Sequence, residues 1–140
     1  MSRTFFTDRD LGKQFPRLLA EAGLAGARHG DLFPPDGSDE QWLEHCGRQG
    51  WVADTHNSRI RYVPNELAAL IRFRVMLLVI VGKAPTADLA HNFMQTRPRI
   101  ESLLDTLAAP AIVKVYRPAP AELLRVPATA GRVELWYPDR

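Results

Sequence analysis

Two aspartates near the N-terminus are the residues best placed to do chemistry. The segment Thr4 to Thr7 has the composition of a short β-strand, and Asp8 and Asp10 follow its last apolar residues. Carboxylates at the C-terminal ends of the strands of an α/β sheet lie where such proteins build their sites. The pattern therefore predicts a functional edge of the sheet that begins with Asp8.

Two later segments could bring polar groups to the same edge, one at a helix start and one directly after a strand: Ser38-Asp39-Glu40 and Thr55-His56-Asn57. Carboxylates that are close together and desolvated repel one another unless a cation neutralises them. Magnesium prefers oxygen ligands, keeps several waters and needs few protein ligands. We predict a Mg²⁺ or Mn²⁺ site with Asp8, Asp39 and Asn57 as ligands, and the acid at the helix start is either Asp39 or Glu40.

The histidines do not suggest a different metal. The chain has four of them, and their spacing is not that of a zinc site: His29, His45, His56 and His91. The single cysteine also excludes a cysteine-rich zinc site. A catalytic role for His56 is less favoured than a surface position.

Each candidate also has a purely structural interpretation. Asp10 either caps the first helix or joins the ion site. Asp39 and Glu40 suit the positive end of a helix dipole with or without an ion. Asn57 followed by Ser58 fits ordinary turn chemistry.

Two arginines follow the third strand and give a second signal. Arg59 and Arg61 alternate just after Asn57, so they could face a phosphate backbone with their fork-shaped donors. The alternative is a solvated strand or loop. We predict that Arg59 and Arg61 bind substrate.

Composition sets the class of protein. The chain has 140 residues, of which 46% are hydrophobic and 24% charged, so it fits one globular domain over residues 1–140. A net charge of +2 does not by itself indicate a nucleic-acid partner. Cys46 is the only cysteine, no secretory pattern opens the chain, and the longest apolar run, Val75 to Val81, is too short to span a membrane. We expect a cytoplasmic protein with no membrane partner.

Apolar spacing alternates between strand and helix over most of the chain. The predicted strands cover residues 4–7, 27–29, 51–55, 75–81, 111–116 and 132–137. Two of the predicted helices cover residues 11–22 and 65–73. Another begins at about residue 39, after a Ser38–Gln41 capping box, and ends before the glycines at 47 and 50. The last begins at Thr86, is interrupted or kinked by Pro98, and continues in pattern to residue 107. A proline-bearing link separates the last two strands. Such alternation is typical of an α/β fold with a mainly parallel central sheet, helices on both faces and antiparallel C-terminal edge strands. Trp42, Phe93 and Cys46 are assigned to its core.

Three segments together resemble the PIN-like domain family related to VapC-type toxins: Phe5-Phe6-Thr7-Asp8-Arg9-Asp10-Leu11-Gly12, Ser38-Asp39-Glu40-Gln41-Trp42-Leu43, and Gly50 to Arg61. The resemblance extends over about residues 4–116. It implies a three-layer α/β fold in which acidic residues hold Mg²⁺ or Mn²⁺ and cut RNA, and a toxin silenced by a cognate antitoxin. It also implies that Asp8 is the first ligand and that Asp39 or Glu40 is the second acid.

The chain departs from the family pattern at one place. A Thr-x-Asp motif often follows the third strand in the family, whereas this chain has Thr55-His56-Asn57. The substitution favours a second hypothesis, a catalytically weak or inactive module that acts by binding a protein. A third, a phospho-accepting receiver domain, would use Asp8, Asp10 and Asp54, and the resemblance argues against it. A homodimer is compatible with each hypothesis.

Overall fold

A six-stranded sheet forms the centre of the protein. The computed structural model describes residues 3–126 and 129–139, and the strands lie in the order β2-β1-β3-β4-β5-β6. All neighbours are parallel except β5 and β6, which are antiparallel. The strands are β1 Phe5–Thr7, β2 Gly26–Arg28, β3 Val52–Thr55, β4 Met76–Ile80, β5 Ala111–Val115 and β6 Val133–Tyr137.

Helices cover both faces of the sheet, as predicted. They are α1 Gln14–Glu21, α2 His29–Leu32, α3 Asp39–Gln49, α4 Pro64–Arg72, α5 Thr86–Leu104 and α6 Pro120–Arg125, with short 3₁₀ turns at Arg9–Leu11 and Ser58–Arg61. None of the helices in residues 3–126 and 129–139 combines the length and the apolar character needed to cross a membrane. The fold is a three-layer α/β sandwich.

Side-chain alternation along the strands divides the interior into two cores. Phe5, Val52 and Leu78 face α1 and α5, whereas Phe6 and Ala53 face α3 and α4. Trp42 and Cys46 lie in the second core and Phe93 in the first, and all three are fully buried, as predicted. The parallel strands β1 and β3 end side by side, since Thr7 pairs with Asp54.

Several predicted boundaries are wrong for identifiable reasons. The first helix does not begin at Leu11, because the 3₁₀ turn there ends at Gly12 with φ 75°, and α1 begins at Gln14. Ser38 precedes α3 but makes no side-chain cap, so the predicted capping box is absent. Gly50 ends α3 with φ 69°, in the left-handed conformation typical of a helix stop.

The C-terminal part differs from the prediction in two respects. Pro98 does not interrupt α5, because buried Phe93 and Ile100 on either side of it pack into the same core. The proline-bearing link contains α6, with Pro120 in its first turn; Pro127 lies outside the described residues. The last two strands, β5 and β6, pair antiparallel as predicted, and β5 also pairs parallel with β4.

Close packing between α3 and α4 leads to a prediction about Gly47. A methyl group at Gly47 would come 2.2 Å from the backbone oxygen of Phe73, whereas one at Gly30 would meet nothing within 4 Å. Gly47→Ala should therefore lower the free energy of unfolding by about 1–3 kcal/mol in urea denaturation. The matched variant Gly30→Ala should stay within about 0.5 kcal/mol. Equal stability of the two variants would contradict this packing.

Candidate active site

Asp8 sits directly after β1 and is held on three sides. It is only 6% exposed, and its backbone N–H donates to the carbonyl of Asp54 at 2.9 Å. One carboxylate oxygen accepts from the backbone N–H of Arg9 at 2.7 Å, and the other accepts from the hydroxyl of Thr55 at 2.8 Å. The pairing of β1 with β3 thus fixes the position of this carboxylate.

Asp10 joins the same site. Its carboxylate lies 3.2 Å from the Thr55 hydroxyl and accepts from the backbone N–H of His56 at 3.0 and 3.2 Å. The alternative interpretation of Asp10 as the cap of the first helix is wrong, because Lys13 holds that position in α1. The spacing of Asp8 and Asp10 is the sequence signal for this pair, and the 3₁₀ turn between them brings both side chains to one hydroxyl.

Two acids share one hydroxyl, which has consequences for their protonation. The Thr55 hydroxyl has one proton and can donate it to only one carboxylate. A second carboxyl group that carries its own proton can donate it to the hydroxyl oxygen, and both contacts are then hydrogen bonds. Burial, followed by the charge of Asp10, raises the pKa of Asp8 to about 7. Desolvation also raises the pKa of Asp10, and the His56 N–H partly offsets this shift. The pair therefore retains a proton far above the pH at which an ordinary aspartate loses it.

Asp39 lies at the start of α3 and is oriented by two donors. One oxygen accepts from the indole N–H of Trp42 at 2.9 Å, and the other accepts from the side-chain amide of Asn57 at 3.4 Å. The carbonyl oxygen of Asn57 accepts from the backbone N–H of Arg59 at 3.0 Å and caps the second 3₁₀ turn. Asp39 is near enough to raise the pKa of Asp8 through its charge. The structure thus brings Asp8, Asp39 and Asn57 to one edge of the sheet.

Glu66 is an additional acid at this edge that the sequence reasoning missed. It lies in the first turn of α4, and burial, followed by the charge of Asp39, raises its pKa. One of its carboxylate oxygens is buried without a hydrogen-bond partner among the described residues. The available signal was Pro64-Asn65-Glu66 at a helix start, where an acid is ordinary for the helix dipole.

The remaining predicted site residues, Glu40, Arg59 and Arg61, do not all lie at the acidic edge. Glu40 is exposed and lines a groove between α3 and α4, so Asp39 is the acid of this pair that contacts Asn57. Arg59 is exposed near Glu66, whose pKa its charge acts to lower. Arg61 instead forms an ion pair with Asp139 at 3.0 Å and lies 5.3 Å from the ring of Trp136. The two arginines therefore do not form one phosphate clamp.

Asp54 lies apart from the cluster despite its place in β3. It is fully buried, neither carboxylate oxygen has a partner among the described residues, and burial raises its pKa well above the ordinary value. Strand alternation puts it on the face of Val52, opposite to that of Thr55. This geometry does not match the exposed acids that a phospho-accepting site needs.

The donor set suits a hard divalent cation in type and charge. Asp8, Asp10 and Asp39 offer carboxylate oxygens, and burial together with the charges of Asp10 and Asp39 raises the pKa of Asp8. In residues 3–126 and 129–139, however, no group of three or more His, Cys, Asp or Glu side chains is arranged so that it could hold a metal ion. Magnesium is commonly held by one or two carboxylates together with waters. The residues present fit such an open site and do not fit a closed one.

A comparison with known protein families agrees with this architecture. The family model described as PIN like domain matches residues 3–82, more than half of the chain. The chain belongs to the PIN-like domain family. Members of this family are generally related to nucleases. No curated protein and no solved structure matches the chain.

The matched region of the PIN-like domain contains every predicted site residue. It begins before β1 and ends after β4, so it includes Asp8, Asp39, Glu40, Asn57, Arg59 and Arg61. The shared edge of β1 and β3 is therefore part of the family region, and β5, α6 and β6 lie outside it.

The raised pKa of Asp8 predicts a pH dependence. The folded protein holds a proton up to about pH 7 that an unfolded aspartate releases near 3.8. In metal-free protein, the stabilisation that this proton provides is therefore complete below about pH 3.8 and is lost as the pH rises to about 7. The free energy of unfolding falls by up to about 1.4 kcal/mol per pH unit over this range. Urea denaturation between about pH 4 and pH 7 should show this fall, and Asp8→Asn should reduce the slope.

The matched control is Asp36→Asn, because Asp36 is exposed in a loop. Its slope should equal that of the wild-type protein. An unchanged slope in Asp8→Asn would show that Asp8 does not hold the proton.

Proposed function

We propose that this PIN-like domain is a divalent-metal-dependent endoribonuclease. The observation that carries the proposal is the pair Asp8 and Asp10, whose carboxylates meet at the Thr55 hydroxyl and form no ion pair in the described residues. Such a pair gains most from an ion with two positive charges. The family supports nuclease chemistry in general, and the arrangement of acids supports dependence on metal.

The proposed ion site uses Asp8, Asp39 and Asn57, with Asp10 as a further acid. Asp8 has the position closest to the centre, since it faces both Thr55 and the charge of Asp39. Asn57 contributes a neutral oxygen: a carbonyl oxygen has two lone pairs, and the N–H of Arg59 uses one of them. When bound, Mg²⁺ or Mn²⁺ supplies a water of lowered pKa and compensates charge on a phosphodiester.

The side chains of the chain divide the remaining tasks. Thr55 and the backbone N–H of His56 orient Asp8 and Asp10, and Trp42 orients Asp39. Arg59 is exposed beside the acidic edge and is the proposed contact to RNA phosphate. Arg61 reaches RNA in this proposal only if its ion pair with exposed Asp139 opens.

The biological role proposed here is that of a toxin. This part rests on the resemblance of three segments to PIN-like domains related to VapC-type toxins. It entails a cognate antitoxin as the protein partner and RNA as the substrate. The proposed location is the cytoplasm, where such a substrate is found.

Replacing Asp8 tests the enzyme. Asp8→Asn should reduce Mn²⁺-dependent cleavage of an end-labelled single-stranded RNA by at least about 100-fold, because a preorganised charge at the reacting phosphate is removed. Asp36→Asn, which changes the net charge equally in an exposed loop, should retain wild-type cleavage. Equal cleavage by Asp8→Asn would eliminate the proposed site.

Asn57 favours a second candidate function, a non-catalytic module that binds a protein partner. Its amide donates to Asp39 at 3.4 Å, so a hydrogen bond already relieves part of the charge that an ion would otherwise neutralise. In this alternative the acidic edge is covered by a partner with basic residues. The resemblance to the family is retained, and cleavage is lost.

Metal binding separates the two functions. A ligand that binds only the folded state stabilises it by about 2.7 kcal/mol at one hundred times its dissociation constant. Under the nuclease proposal, millimolar Mn²⁺ should raise the melting temperature of the wild-type protein and leave that of Asp8→Asn unchanged. A melting temperature that Mn²⁺ does not move would support the non-catalytic module.

A further inference from the structure

The strand β6 leaves one side of its backbone open. It is the last strand of the sheet, and in the described residues it pairs only with β5. Residues of an antiparallel strand alternately turn both backbone groups toward the neighbour and both away from it. The N–H of Tyr116 donates to the carbonyl of Arg132 at 2.8 Å, so Arg132 and, two residues on, Glu134 face β5. The backbone groups of Val133 and Leu135 therefore point outward.

The hydrogen bonds of β5 agree with this alternation. The N–H of Val81 donates to the carbonyl of Val115 at 2.9 Å, so the backbone groups of Val115 face β4. Val115 is opposite Val133 in the ladder and offers it no backbone partner. The register shift between β5 and β6 lies at Ile112 and Val113, so the strand before it is regular. A regular strand with open N–H and C=O groups is a template for a further strand.

The side chains of Val133 and Leu135 lie on the same face of the sheet as α5. Both pack against the first core and are half-buried. A groove of about 430 Å³ between β6 and α5 adjoins them, and its lining residues are Pro98, Arg99, Ser102, Arg132 and Val133. An added strand would place its own outward apolar side chains over this groove, because paired residues point to the same face.

The opposite face of β6 carries one charge of each sign. Arg132 and Glu134 lie 3.7 Å apart, and their side chains are 68% and 49% exposed. An exposed pair of this kind contributes little to the stability of one chain. The two charges are self-complementary, however, about a two-fold axis at Glu134. A second antiparallel copy brings each arginine diagonally beside the glutamate of the other copy, within reach of a long side chain.

We propose that the outer edge of β6 binds β6 of a second copy of this chain, antiparallel and about a two-fold axis at Glu134. In this register Val133 of each copy lies opposite Leu135 of the other, so all four outward N–H groups meet a carbonyl. The apolar side chains meet on the face of α5. On the other face the two glutamates lie across the axis, and the flanking arginines offset their repulsion. Two six-stranded sheets become one continuous sheet.

The charges of β6 favour a second copy over other extended segments. A segment of one sign would repel either Arg132 or Glu134, and an uncharged segment would leave both unmatched. The edge also lies outside residues 3–82, which the family model matches, and β6 is four strands from β1. The pairing therefore requires neither metal nor RNA, and it does not depend on the proposed nuclease activity.

Sedimentation equilibrium of the metal-free protein tests the pairing with charge-reversal variants. The wild-type protein should show a monomer–dimer equilibrium. Arg132→Glu brings four acids together at the axis, and Glu134→Arg brings four bases together. Either variant alone should therefore raise the dissociation constant about tenfold or more. An equimolar mixture of the two variants should associate about as well as the wild-type protein, because each acid then faces a base.

The matched controls reverse a comparable pair on α1. Arg17 and Glu21 are both 63% exposed and lie 4.0 Å apart, on an element that does not pair with β6. Arg17→Glu and Glu21→Arg change the net charge by the same amounts as the two edge variants. Each control should keep a dissociation constant within about twofold of the wild-type value.

Amide hydrogen exchange identifies the edge without any substitution. The N–H groups of Val133 and Leu135 are bonded only in the dimer, so their exchange should slow as the protein concentration and the dimer fraction rise. Gly26 on the opposite edge strand is the control. The carbonyl of Ala25 accepts from the N–H of Phe5 at 3.1 Å, so Gly26 faces away from β1, and its exchange should not depend on concentration.

Three results would overturn the proposal. One is a wild-type protein that remains monomeric at about 1 mM, even if the edge binds a synthetic extended peptide. Another is a dimer that Arg132→Glu and Glu134→Arg leave unchanged, or that their mixture does not restore. The third is exchange of Val133 and Leu135 that is independent of concentration, which would place the contact on another surface.

Discussion

The hydroxyl of Thr55, held between the carboxyls of Asp8 and Asp10, is the contact on which the site depends. It exists because β1 and β3 are parallel neighbours in a fixed register, in which Thr7 pairs with Asp54 and the N–H of Asp8 donates to the carbonyl of Asp54. A slip of one residue would turn Thr55 to the opposite face and leave Asp54 at the acids. The register of two short strands is thus also the geometry of the site.

The surrounding structure holds these acids together against their repulsion. Phe6 stacks on Trp42 at 5.5 Å in the core below, and the indole N–H of Trp42 reaches out of that core to Asp39. An apolar residue that is fully buried therefore orients an acid at the sheet edge. Burial that stabilises the fold also desolvates Asp8, and the high pKa of Asp8 is the consequence.

Positive charge is distributed unevenly around the acidic edge. Arg61 is engaged with Asp139 and the rings of Trp136 and Tyr137, so it ties the segment after β3 to the C-terminal strand. Arg9 and Lys13, on the other side of Asp8, have no ion pair in residues 3–126 and 129–139. In the described residues, cations without an ion pair therefore lie on both sides of Asp8, with Arg9 and Lys13 on one side and Arg59 on the other, and the net charge of +2 does not show this placement.

The sequence by itself determined the α/β class, the strands that end at Thr7 and Thr55, the helix that begins at Asp39, and the buried positions of Trp42, Phe93 and Cys46. These features follow from local composition and periodicity, which short-range physics controls. Only the tertiary structure decided that Asp10 faces Thr55, that Glu66 lies against Asp39 and that Arg61 turns away. Such contacts join residues far apart in the chain: 45 positions separate Asp10 from Thr55, and 78 separate Arg61 from Asp139. They depend on strand order and packing, which no local pattern encodes.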